Sequence, residues 1–469
     1  MGCKVIPKLM CTQHPDSTIK VRVEEEVDEA IVGYTIYSCG EVMVDYEGKL
    51  TPYSQPKEIV VKASKAGIPV GYDFFITPRM PNPFIEEFDR AMLALEASVL
   101  ANYYSSKVLG SQAVKWIILP MVEDVDVVVF VQKIIGRKAK MLSEETGVKL
   151  DAITVVPLLE DAFIQTRAHN IVYALTKEMA EAGMGDECLR VFLGFSDSAV
   201  RYGHIASALG VKYSLSKITS LSKLGLCIKP IIGSGSPPFR GGVNNTELVP
   251  LEVKTYKGYS TVTVQSAIRY DVPLNEYEFF RETVINGANV EPDAAIDEES
   301  LRLFIKESSE SYRSFVGRIL RGIEHVINLI PSTRDRISWR SYGRLVIDGE
   351  NQVINVPRAI MYTAMWYNIG LPPTLLDSPY IVKLAKKDLL DDLLKALPQL
   401  VHEWSYDASF YDPEISAKFI GDEGVKTVNE ALEYMNVDVN PNRAYVAMLK
   451  QAQTEAHVIA LGKLRKFLG

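Results

Sequence analysis

Two acids, Glu160 and Asp197, stand where chemistry could be done. Glu160 closes the apolar run of ITVVPLLED, and Asp197 lies among the serines of VFLGFSDSAVRYG. An apolar run ending in a polar tip reads as a buried strand whose C-terminal end carries the polar group. The next run, CIKPIIG, opens into SGSPPFRGG, a glycine-rich loop with one arginine, Arg240. Three successive strands thus deliver carboxylate, carboxylate and guanidinium to one edge of a parallel sheet. Two hard oxygen ligands with room for water and substrate oxygens suit Mg²⁺. A mobile loop carrying one guanidinium suits an anion. The same two acids would serve equally well as solvated loop acids or helix N-caps, which are common at such junctions, and spacing does not separate the readings. Glu123 and Asp124 form a second acidic pair with a weaker claim as ligands. The loop is neither a P-loop nor GxGxxG, and a plain surface turn is its bland alternative.

Arg79, in FITPRMPNP, and Arg269, in VQSAIRYD, would join Arg240 in a cationic pocket facing a metal. The substrate class that follows is an anionic metabolite used with Mg²⁺. His14 is the only histidine at a strand exit within a turn, TQHPDST, where Pro15 biases it away from helix. A lone histidine is more often structural than catalytic, so the residue types alone do not make His14 a base. The remaining histidines (His169, His204, His325, His402 and His457) lie in helical patterns and read as structural. Serine-hydrolase chemistry lacks its GxSxG elbow, and zinc chemistry lacks HExxH or paired Cys/His spacing.

The elements that must position these groups are eight apolar runs: Ile6–Cys11, Glu41–Tyr46, Pro69–Thr77, Val114–Met121, Ile153–Leu159, Arg190–Phe195, Cys227–Ile232 and Thr261–Ser266. Helix-length segments separate nearly all of them, the link 243–259 looking least helical. Eight such units predict an α/β fold, a TIM (β/α)8 barrel, whose chemistry sits at the strand C-termini. The polar residues His14, Asp45, Arg79, Glu123, Glu160, Asp197, Arg240 and Arg269 all fall at those ends. Beyond Pro273 the pattern turns helical, over 274–288, 297–329, 357–369, 379–400, 424–435 and 441–468. The expected organisation is a catalytic barrel, 1–273, and an α-helical region packed on it, 274–469.

Composition excludes several classes. With 47% hydrophobic and 23% charged residues in 469, the chain is an ordinary soluble protein. A net charge of −8 without a Lys/Arg block argues against nucleic acid. No apolar run is long enough for a bilayer. The start lacks a signal peptide's core, and Ile6 stands where a myristoylation signal wants Ser or Thr. Five cysteines, an odd number without CxxC spacing, read as buried thiols in a reducing cytoplasm.

Taken in order along the whole chain, TQHPDST, VDYEGKLTPY, FITPRMPNP, VVPLLED, FLGFSDSAVRYG, GSGSPPFRGG, VQSAIRYD and IGLPP resemble phosphoenolpyruvate carboxylase, in its short, archaeal-type form. The resemblance implies a TIM barrel with extra helices, Mg²⁺ or Mn²⁺, and a cytoplasmic homotetramer. It implies Glu160 and Asp197 as metal ligands, His14 in the carboxylation half-reaction, Arg240 near bicarbonate and Arg269 on the phosphate side. Arg79 is placed by position rather than by a long-form motif. Where the long form has a loop arginine this chain has Ser234. Where it has a lysine after SDSA this chain has Val200, with Arg201 next as a candidate substrate-binding group. The implied activity forms oxaloacetate and phosphate from phosphoenolpyruvate and bicarbonate. The alternatives are a Mg²⁺-dependent aldolase or lyase of pyruvate-type enolates, and a metabolite-binding regulatory protein without catalysis.

Overall fold

A computed structural model describes residues 5–12, 23–47, 52–181, 188–293, 297–330, 344–347, 353–451 and 454–469. Eight parallel strands close a barrel in chain order: β1 (Leu9–Thr12), β2 (Glu41–Asp45), β3 (Phe75–Arg79), β4 (Trp116–Leu119), β5 (Thr154–Leu159), β6 (Leu189–Gly194), β7 (Ile228–Gly233) and β8 (Thr261–Val264). The seam is β1 against β8, with Leu9 opposite Val262 and Cys11 opposite Val264. Helices surround it, so the expected TIM barrel is the observed one. Residues alternate across each strand. Met10, Met43, Phe75, Trp116, Val156 and Phe192 pack together inside the barrel. Their neighbours Cys11, Val42, Ile76, Val155 and Leu193 join the larger core beneath the helices. Burial on both faces is why these strands read as unbroken apolar runs.

One polar device interrupts the interior. Arg190, two residues before Phe192, donates to both carboxylate oxygens of Glu41 on β2, at 2.8 and 2.9 Å. It also donates to the Thr261 hydroxyl at 3.1 Å, and its guanidinium lies 4.5 Å from the Trp116 ring centroid. Thr77 donates a further bond to Glu41. Strands β2, β3, β6 and β8 are thereby tied across the barrel by one ion pair with both side chains fully buried.

Several boundaries depart from expectation. β3 begins at Phe75, because Pro69–Phe74 is a turn in which Gly71 (φ +93°) donates to the Phe74 carbonyl at 2.7 Å. The link after β7 holds a short helical turn, Pro238–Arg240, and a helix, Val249–Thr255. The pattern over 379–400 is two helices, Ser378–Ala385 and Leu390–Ala396, separated near Asp388 at φ +57°. Helix Pro413–Tyr434 starts well before residue 424. Asp412 caps it by accepting from the Ile415 N–H at 2.9 Å, and Gly421 at φ +69° kinks it. Helix Leu400–Ala408 and an antiparallel hairpin, Arg344–Ile347 with Val353–Val356, were not anticipated.

The cysteine reading needs correction. Cys11 is disulfide-bonded to Cys39, and Cys188 to Cys227; Cys3 lies outside the described residues. Separations of 28 and 39 residues gave no signal in the chain. The barrel creates both pairs, since β1 lies beside β2 and β6 beside β7. Among the described residues no helix is long and apolar enough to cross a membrane.

The barrel-interior pair gives the first test. Arg190→Met would leave the Glu41 carboxylate buried without its partner, at a cost of about 3–5 kcal/mol. Denaturant unfolding should show that loss, and Glu41→Leu added to Arg190→Met should recover part of it.

Candidate active site at the strand C-terminal rim

The rim is built from the register of β2 and β3. Asp45 is the direct partner of Arg79, so the two side chains meet at the last rung. Arg79 Nε and Nη2 donate to the two Asp45 carboxylate oxygens at 2.9 and 2.8 Å. Two residues after Asp45 the chain turns, and the Asp45 carboxylate accepts the Glu47 N–H at 3.2 Å. That turn brings Glu47 Oε2 to 3.2 Å from Arg79 Nη2. The other face of Glu47 takes Arg358, whose Nη1 and Nη2 donate to its two oxygens at 3.2 and 2.9 Å. Arg358 stands in extended backbone at the N-cap of helix Ala359–Asn368. One carboxylate therefore joins a barrel arginine to one from the later helices.

Glu160 directly follows β5, and its Oε2 accepts the Met121 N–H at 3.2 Å. Met121 holds φ +51°, a left-handed conformation uncommon for its type, and such outliers gather at functional sites. Opposite is Gly194, the last residue of β6, where a Cβ would stand 3.1 Å from Glu160 Cγ. A side chain there would push the Glu160 side chain by a few tenths of an ångström. Asp197 lies in the first turn of helix Ser196–Tyr202, just past β6. Glu160 acts electrostatically on Arg79, and Asp197 on Arg358. Four carboxylates, Asp45, Glu47, Glu160 and Asp197, thus share one region with two guanidiniums. Burial would favour neutral Arg79 and Arg358, but Asp45 and Glu47 outweigh it at Arg79, and Glu47 and Asp197 at Arg358, so both stay cationic.

The other anticipated residues take distinct places. Arg240 is buried, its Nε donating to Ser196 Oγ at 2.9 Å and its Nη1 to the Gly469 main-chain oxygen at 2.5 Å. The loop arginine thus lies against the residue preceding Asp197. Arg201 pairs with Asp161 at 3.1 Å and remains about a third exposed (36%). Arg269 donates to Glu29 at 2.9 Å, to the Tyr270 hydroxyl at 3.1 Å and to the Thr12 carbonyl. It therefore anchors the end of β1, the strand that leads to TQHPDST. His14 lies outside the described residues. Ser234 is occupied inside its own loop, accepting the Val243 N–H at 3.0 Å. Asp124 is a helix cap, accepting from Asp126 N–H at 3.0 Å. The five other histidines all lie in helices, as expected.

Sequence reasoning missed Glu47 and Arg358. Glu47 lies within VDYEGKLTPY, directly past a strand exit, and that position was its signal. Arg358 carried none, because nothing in one chain's spacing brings residue 358 to β2. Among the described residues no cluster of three His, Cys, Asp or Glu side chains forms a cage for a metal. Glu160 and Asp197 on neighbouring strand ends instead fit a hard divalent cation that keeps water and takes substrate oxygens.

Glu47 makes the rim sensitive to acid. Burial and Asp45 both push its carboxyl up, but the Arg358 and Arg79 charges outweigh them and hold it at about 2, below the usual 4.5. A depressed carboxyl stabilises the fold above its unfolded value and loses that contribution as pH falls through its folded value. The contribution, up to about 3 kcal/mol, should therefore fade from about pH 4.5 to about pH 2. Glu47→Gln should be less stable at neutral pH and show a flatter unfolding curve across that window.

Comparison with known proteins accords with this geometry. Residues 6–469 match the family model described as phosphoenolpyruvate carboxylase. A phosphoenolpyruvate carboxylase of Pyrobaculum islandicum is 52% identical over 466 residues, covering 99% of this chain and 100% of that one. One from Thermofilum pendens is 50% identical, covering 99% of each chain. One from Methanosarcina mazei is 30% identical, covering 96% of this chain and 92% of that one. With its barrel, its acidic rim and a match along nearly its whole length, the chain belongs to the phosphoenolpyruvate carboxylase family, in its short, archaeal-type branch.

Proposed function

We propose that this chain converts phosphoenolpyruvate and bicarbonate into oxaloacetate and inorganic phosphate. The observation that carries the reading is the rim itself. There two carboxylates on adjacent strand ends, Glu160 and Asp197, lie beside Arg79 and Arg358, which share Glu47. The family is metal-dependent, and the two-carboxylate set suits Mg²⁺ or Mn²⁺. When bound by Glu160 and Asp197, the cation supplies positive charge where the enolate oxygen develops.

The side chains divide the remaining work. Arg79 and Arg358, kept charged and oriented by Glu47, receive the substrate's phosphoryl and carboxylate oxygens. Arg240 holds bicarbonate against the phosphorus. A bicarbonate oxygen attacks phosphorus and the bond to the enol oxygen breaks, giving carboxyphosphate and the pyruvate enolate. His14 accepts the carboxyphosphate proton, so that the carbon–oxygen bond to phosphate breaks and CO₂ is released beside the enolate. The enolate methylene carbon then takes CO₂. Arg269 serves binding by fixing the β1 exit that leads to His14, and Arg201 offers an accessible cation at the rim. The working form is a homotetramer in the cytoplasm, with the barrel, 1–273, as its catalytic region and the helical region, 274–469, packed on it.

Two coupled assays test the reading: malate dehydrogenase for oxaloacetate and lactate dehydrogenase for pyruvate. Oxaloacetate should require phosphoenolpyruvate, bicarbonate and a divalent cation together. His14→Asn should divert product to pyruvate, with phosphate release still dependent on bicarbonate. Oxaloacetate formed without bicarbonate would point to an aldolase or lyase. Tight phosphoenolpyruvate binding with no turnover would mark a regulatory binding protein.

A further inference from the structure

Behind the Arg240 loop lies a polar cluster for which the reaction above has no use. Glu252, in helix Val249–Thr255, is fully buried. Its Oε1 lies against Gly242 of the loop: a Cβ at Gly242 would stand 2.7 Å from that oxygen, and Gly242 holds φ +59°. Among the described residues no donor reaches either Glu252 oxygen. Facing it is Glu403 of helix Leu400–Ala408, also fully buried. Glu403 Oε2 lies 2.7 Å from His204 Nε2, and its Oε1 likewise lacks a donor. Three buried acceptor oxygens of this cluster are thus left without a proton if both glutamates are ionised. Two like charges in such a place cannot both persist, whereas a neutral carboxyl donating to its neighbour satisfies both. Burial and the Glu403 charge both push the Glu252 carboxyl well above its ordinary range. Burial would neutralise His204, but Glu403 outweighs it and raises the imidazole.

The cluster reaches the metal side as well. His204 follows Gly203, which ends the helix carrying Asp197. Asp377 accepts the Ile205 N–H at 2.9 Å, and a Cβ on Gly203 (φ +90°) would stand 2.5 Å from its Oδ1. One end of the network therefore presses on the Arg240 loop and the other holds the exit of the Asp197 helix.

We propose that Glu252 is a positioning residue for Arg240: held neutral, it hydrogen-bonds Glu403 and, through His204, ties the loop arginine to the segment behind Asp197. The inference rests on the reading that places Arg240 in the reaction. A shared proton in a dry interior is directional and fixes two carboxyl groups at one separation. The loop backbone at Gly242, which has no side chain of its own, is held by the carboxyl packed against it.

A mutant cycle tests this. Glu252→Leu keeps volume and removes the donor, and Glu252→Ala removes both; either one that folds completes the cycle with Arg240→Ala. The folded variant should lose about tenfold to a hundredfold in kcat/KM for bicarbonate, with KM for phosphoenolpyruvate little changed. Combined with Arg240→Ala it should cost no more than about twofold beyond Arg240→Ala alone. Glu252→Gln, whose amide can donate to Glu403, should restore activity to within about twofold of the parent. Additive losses, full activity in the folded Leu or Ala variant, or a Gln variant as slow as Leu would each overturn the inference. Full activity in Arg240→Ala would instead overturn the assignment of Arg240 on which it rests.

Discussion

One carboxylate, Glu47, carries the arrangement of the rim. Arg79 and Arg358 come from distant parts of the chain and repel each other. They share a small volume because Glu47 accepts from Arg358 and pairs with Arg79, while Asp45 neutralises Arg79 from its other side. A buried ion cluster of this kind is weak evidence of stability, because desolvation offsets much of the attraction. Its value lies in geometry: two guanidiniums are fixed in place, charged and aimed, before any anion arrives, so less reorganisation accompanies binding.

The barrel separates this chemistry from what holds the strands together. At the interior, Arg190 Nη1 and Nη2 and both Glu41 oxygens are bonded among the strands themselves. At the C-terminal rim, by contrast, the acids outnumber the bases, leaving negative potential that suits a divalent cation. Close approach at Gly203 and Gly242 sets the spacing of the loops there, since a side chain at either would collide with Asp377 or Glu252, and Gly194 packs tightly on Glu160. The reacting groups thus stand on rigid strand ends, and the glycines let the supporting acids come near.

Much of this was legible in the chain. The apolar runs before Glu160, Asp197 and Arg240 gave three neighbouring strands in the right order, because strands buried on both faces lack alternation. Arg79 was readable as a strand-exit cation, and Asp45 beside it. What the chain hid depends on long-range closure. Arg358 meets Glu47 across more than three hundred residues (separation 311). The disulfide partners lie on or just before adjacent strands that no local spacing marks. Glu252 and Glu403 lie in two helices the sequence did not announce, and only packing buries them. The contacts of Arg269 with Thr12, Tyr270 and Glu29 were likewise hidden, because the β1–β8 seam sets them. The left-handed Asp388 broke a helix where periodicity ran on.

Whether Glu47 serves binding rather than mere cohesion is decided by titrating phosphoenolpyruvate into Glu47→Gln at neutral pH, with the divalent cation present and the variant folded. Loss of the shared carboxylate frees Arg358 from its fixed aim and removes one of the two acids that hold Arg79. The account predicts affinity for phosphoenolpyruvate weakened by about tenfold or more, with affinity for the cation, whose proposed ligands are Glu160 and Asp197, nearly unchanged. Parental affinity for phosphoenolpyruvate in a folded Glu47→Gln variant would contradict it.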